Sequence, residues 1–157
     1  MEEKHRLLEA LDEAHQSMQA ALAGIDPHLA LSPTWTIKQV VDHITGWDDA
    51  TIVMLRAHVT GEPLDVPEWM GIDHYNAESV ETRRPLSYEQ TVQEWKYTRV
   101  QLKEMIEEMP EDKVPEAFEF LWGQSGTIAQ LVAIMAHHEA GHAVALERHK
   151  DIPPEVR

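Results

Sequence analysis

The chain has 157 residues, 43% of them apolar and 26% charged, with no cysteine. That suits one domain with a substantial core and excludes disulfides, thiolate metal sites and a cysteine nucleophile. Its 13 basic and 28 acidic side chains leave a formal charge of −15, which argues against nucleic-acid phosphates and anionic lipid as partners.

No run approaches the roughly 20 apolar residues of a membrane span. The opening Met-Glu-Glu-Lys-His-Arg lacks the basic and apolar regions of a signal peptide, so a cytoplasmic protein is expected. In chain order, Leu7, Leu11, Ala14, Met18, Ala21 and Ile25 predict an amphipathic helix over about 3–24, ended by Gly24 and Pro27. Thr36 with Gln39 forms a capping box and opens a second helix to about Thr60. Its stripe is Ile37, Val40, Val41, Ile44, Trp47, Ile52 and Leu55, and Gly61 with Pro63 stops it. Ser87 with Gln90 repeats the capping pattern for a third helix through Val92, Trp95, Val100, Leu102 and Ile106 to Pro110. Thr127 with Gln130 starts a fourth, to about His149, and Pro153 and Pro154 follow. With no alternating strand pattern, these predict a single all-α domain over 1–157, an up-down four-helix bundle. The connections after the second and third helices, 61–86 and 109–126, are long for such a bundle. A short helix is expected near Tyr75 to Thr82.

The chemistry concentrates on the fourth helix. At about 100° per residue, Ile128, Leu131, Val132, Met135, His138, His142 and Leu146 share one stripe, while His137 points to the opposite side. Four helical residues span about 6 Å, so the imidazoles of His138 and His142 can grip one metal ion. His43 lies at the edge of the second-helix stripe, between Val40 and Trp47. It reads either as a packed boundary residue or as a third ligand, since facing helices bring side chains together in a bundle core. Three neutral imidazoles suit zinc, nickel, copper or iron(II) and leave a position for water or substrate. Glu139 also faces inward, where it could orient an imidazole, act as a base or pair with an arginine. His5, His15, His28, His58, His137 and His149 read as surface residues, and His74 as a loop residue or pocket lining. Trp35, Trp69 and Trp122 stand beside connections, as packing anchors or as walls of a pocket.

His138-Glu139-Ala140-Gly141-His142 also satisfies the H-E-x-x-H pattern of zinc peptidases. Ala145 and Arg148 stand where the metzincin extension requires Gly and His, and an acidic third ligand downstream would have to be Glu147, Asp151 or Glu155. The peptidase reading is the lesser one.

The segment from Thr34 to Ile44 with Trp47 resembles the second-helix motif of the DinB-like (DinB/YfiT) four-helix-bundle family, and His138 with His142 matches that family's last-helix His-x-x-x-His. Gly71 to Asn76 and Arg83 to Ser87 resemble the middle of related bundles, so the likeness runs over about residues 3–149. The resemblance implies a bundle in which His43, His138 and His142 bind a divalent metal, commonly zinc or nickel. It further implies a low-molecular-weight-thiol transferase or isomerase acting on a small electrophile. Gly141 and the HEAGH composition depart from the family pattern. A zinc-dependent hydrolase and a non-catalytic metal-binding or interaction bundle, a homodimer among its forms, are the alternatives.

Overall fold

The helices begin where the sequence supplies donors' partners. In the computed structural model, which describes residues 1–64, 69–153 and 155–156, α1 spans Glu2–Leu22, α2 Ile37–Thr60, α3 Ile72–Thr82, α4 Tyr88–Glu108 and α5 Ile128–Lys150. Pro154, one of the two prolines after α5, lies outside the described residues. Thr36, Ser87 and Thr127 each accept the N3 amide, and Gln39, Gln90 and Gln130 each accept the N-cap amide in return. Each such cap is worth about 1 kcal/mol. α2 closes on Gly61, whose φ of 72° is left-handed and suits glycine.

Cross-links between helices reveal the chain direction. Asp42 accepts from Thr91, and Asp48 pairs with Arg99, so α2 and α4 run parallel. Asp12 accepts from Lys103 and the Glu107 carbonyl from Lys4, so α4 opposes α1. His15 faces Glu139, and the Ala20 carbonyl accepts from Lys150, so α5 runs with α1. The expected all-α four-helix bundle is present, but its long helices run up-down-down-up rather than simply up-down, and the connection after α2 is long because it carries the chain back along the bundle before α4. α3 occupies that return path and packs on α2 at Gly46. A Cβ there would lie 2.6 Å from Ser79 Cβ, so only glycine permits this approach; the Tyr75 hydroxyl donates to the Gly46 carbonyl at 2.5 Å.

The second long connection holds a feature that hydrophobic alternation did not signal. Phe118–Glu119 (β1) pairs antiparallel with Ser125–Gly126 (β2). Strands of two residues are too short to show a period. Phe120 beside them is fully buried.

Two apolar clusters make up the core. One gathers Leu55, Leu102, Ile106, Phe120, Ile128 and Leu131, the other Met18, Ile37, Val41, Trp95 and Leu146. Among the described residues no helix is long and apolar enough to cross a membrane.

Candidate functional site

His43 reaches the site from α2, and His138 and His142 from α5. Far from being an edge residue, His43 is only 3% exposed, with its ring 4.5 Å from that of Trp35. Its Nε2 lies 2.9 Å from Nε2 of His138, which lies 3.0 Å from Nε2 of His142. Residues 95 apart in sequence thus place their coordinating atoms together.

The donor set fits a shared cation. A neutral imidazole carries one ring lone pair, so His138 Nε2 can accept an N–H from His43 or from His142 but not properly from both. Protonation does not resolve this. Burial and the neighbouring rings lower His43 to about 3, burial and His138 lower His142 to about 4, and burial lowers His138 as well. A cation would satisfy all three lone pairs, and nitrogens sharing one at about 2.1 Å stand about 2.9–3.4 Å apart. Among the described residues this is the one grouping of three or more His, Asp or Glu ligand atoms within 4.8 Å of one another.

The rings form part of the wall of a cavity of about 680 Å³. Trp35, Trp47 and Trp122, with Ile72, Ile134 and Met135, supply its apolar surface, and Asn76 and Gln124 its uncharged polar points. Trp47 donates to Asn76 Oδ1 at 2.7 Å and stacks edge-on to Trp122, tying α3 and the hairpin connection to α2. Gly141 leaves the α5 wall bare between His138 and His142, with nothing within 4 Å of where its Cβ would be. His137, expected on the opposite side, instead borders this cavity, because a wide opening takes in more of the helix than one narrow stripe.

Glu139 is placed differently. Its side chain is buried, does not line the cavity and binds Arg99 Nη2 at 2.6 Å. Arg99 also makes two contacts to Asp48, at 3.0 and 3.1 Å. Burial raises Glu139 to about 7, against the pull of Arg99, and raises Asp48 as well. Burial works against the Arg99 charge too, but the two carboxylates hold it above its ordinary value. With Glu139 turned away from the histidines, the peptidase arrangement is not formed.

Other histidines sit apart. His15, expected at the surface, packs on Trp95 with ring centroids 4.0 Å apart, and its Nδ1 stands 3.9 Å from Glu139. His58 is also buried, its Nε2 2.8 Å from the Lys113 carbonyl and its ring stacked on Phe118. His74 pairs with Glu78 at 3.2 Å, outside the cavity. Nothing in the local spacing of His15 or His58 distinguishes them from solvated residues; tertiary packing encloses them.

A family model described as the mycothiol maleylpyruvate isomerase N-terminal domain matches residues 11–147. The chain belongs to that family, within the DinB/YfiT-like superfamily. Among solved structures, the mycothiol-dependent maleylpyruvate isomerase is 16% identical with a TM-score of 0.77, over 91% of this chain and 60% of that one. This chain therefore spans 60% of the isomerase's length. ClbS, a colibactin self-resistance protein in complex with double-stranded DNA, is 17% identical with a TM-score of 0.77, over 96% of both chains. DfsB, a sibling lethal factor precursor, is 16% identical with a TM-score of 0.78, over 94% of this chain and 95% of that one. At these identities the likeness shows a common fold. Comparison with curated proteins gives no match.

The ClbS complex corrects one expectation. The charge of −15 pointed away from nucleic acid, yet a protein of this fold is held on a DNA duplex. Net charge is a sum over the surface, whereas nucleic-acid binding depends on how charge is distributed locally.

Proposed function

We propose that this chain is a metal-dependent transferase or isomerase that directs a low-molecular-weight thiol at a small electrophile. The observation that carries the reading is the convergence of the three Nε2 atoms on a cavity wall, in a member of a mycothiol-isomerase domain family. His43, His138 and His142 would hold zinc or nickel, and the cation would supply the positive charge that lowers the pKa of a thiol beside it.

The remaining work falls to the chain's own side chains. Trp35 backs His43, and Trp47, fixed by Asn76, closes one side; together with Trp122 they exclude water and hold the electrophile. Asn76 and Gln124 orient its polar groups. In a transfer, a sulfur–carbon bond forms as the carbon–leaving-group bond breaks, and the thiol proton leaves with that group or to solvent. In an isomerisation, the sulfur adds to one carbon of a double bond, the bond rotates, and the same sulfur departs. Glu139 positions α5 and takes no part at the reacting atoms. Such chemistry belongs in the cytoplasm, where thiols are kept reduced.

The test offers mycothiol, bacillithiol and glutathione in turn to the zinc-loaded chain with 1-chloro-2,4-dinitrobenzene. The expected result, with at least one thiol, is thiol-dependent consumption at least tenfold faster than with His43→Ala. Equal rates in both proteins would contradict the reading. Consumption without thiol would turn it into a hydrolase.

A further inference from the structure

The cavity walls carry a charge pattern that bears on what can enter. From Trp69 to Thr82 the sequence holds Asp73, Glu78 and Glu81 but neither Lys nor Arg, and from Val114 to Glu147 it again holds neither. These two stretches include α3, the hairpin connection and nearly all of α5, which supply most of the described lining. The third wall, α2, contains Lys38 and Arg56. Lys38 is bound to Asp42 at 2.8 Å and to the Arg83 carbonyl at 3.1 Å, and Arg56 lies in a separate groove beside α4. Arg83 is itself taken up by Asp49 and Glu94. Among the described residues, no Lys or Arg lines the cavity.

An anion leaving water for a site walled largely by indole and aliphatic side chains loses its hydration and gains no Lys or Arg counter-ion from the lining. The acidic surroundings add repulsion on the approach. A neutral, flat molecule meets the opposite balance, since the three indoles offer faces for stacking and the two amides supply hydrogen bonds without charge. On the reading above, the thiolate takes up the coordination position and one of the two charges of a divalent cation at the histidines, and the chelated protein removes that cation from the comparison. We infer that the electrophile taken by this cavity is uncharged, with an aromatic or unsaturated body and no carboxylate. The inference rests on the cavity being the electrophile site. It separates this chain from the maleylpyruvate isomerase, whose named substrate is a carboxylate.

Isothermal titration of the full chain with 2-naphthamide and 2-naphthoate, matched in shape and different in charge, tests this. Titrations are run on the protein as purified and after chelation of metal. The amide is expected to bind at least tenfold more tightly in both preparations. Gln124→Arg, which replaces a lining amide with a cation at the lip, should shift the preference toward naphthoate by at least tenfold. Naphthoate binding as tightly as the amide in either preparation would overturn the inference, as would failure of both probes to bind or an unchanged preference in Gln124→Arg. The chelated preparation reports on the walls alone. A missing turnover with thiol therefore leaves this preference standing, and a missing preference leaves the turnover assay untouched.

Discussion

Two polar clusters share one turn of α5 and follow opposite rules. Glu139 faces the interior, where Arg99 joins it to Asp48 through short contacts between opposite charges. His138 and His142 face the cavity and meet His43, three like groups whose lone pairs compete. The first cluster pairs its charges within the protein, although Glu139 Oε1 has no hydrogen-bond partner. The second becomes satisfied only by something added. The difference shows how a bundle can hold a strained site open. Asp48 follows His43 by little more than one turn of α2, and Glu139 adjoins His138, so Arg99 braces both ligand-bearing helices near the rings. The brace fixes their spacing while the rings remain free to bind.

Removing Arg99 should have the largest effect. Arg99→Ala leaves two buried carboxylates without their cation, and a loss of about 3–5 kcal/mol is expected in urea unfolding. His142→Ala in metal-free protein should change stability by less than about 1 kcal/mol, since losing one ring relieves the competition at His138. Equal losses would erase the distinction between the clusters.

His15 sharpens it from the brace side. Burial, then Arg99, lower its pKa from 6.5 to about 4, with Asp12 acting the other way, and Glu139 faces it. The folded value lies below the unfolded one, so folding favours the neutral ring. Its contribution is complete above pH 6.5 and is lost as pH falls through 4. Between those limits the wild type should lose on the order of 2 kcal/mol more than His15→Gln. Parallel stability curves would show that His15 is not sealed in the brace. The smallest effect belongs to the cavity side: Gly141→Ala should gain about 1 kcal/mol, read as a higher thermal midpoint, because open space meets its Cβ. Destabilisation would mean that the backbone there is packed.

Periodic features were legible in the sequence. The three capping boxes, the short helix in the first long connection and most of the apolar stripes stand where patterning put them, because each depends on residues a few positions apart; Val100, counted in a stripe, is instead exposed. The pairing of His138 with His142 was legible for the same reason. What could not be read was set by packing between distant segments: the burial of His43, His15 and His58, the cavity-side position of His137, and the capture of Glu139 by Arg99. Glu139 offered base, orienter or ion-pair partner from sequence alone, and the choice among them depended on where α4 lies. The direction of α4 relative to α2 was likewise hidden, since amphipathic stripes do not record which way a helix runs.

Elemental analysis of untagged protein, comparing the wild type with His43→Ala and His142→Ala, tests the three-histidine centre most directly. One divalent ion per wild-type chain, and loss of it from each variant, is the expected result. Wild-type protein without metal, or variants that retain the full wild-type complement, would contradict it.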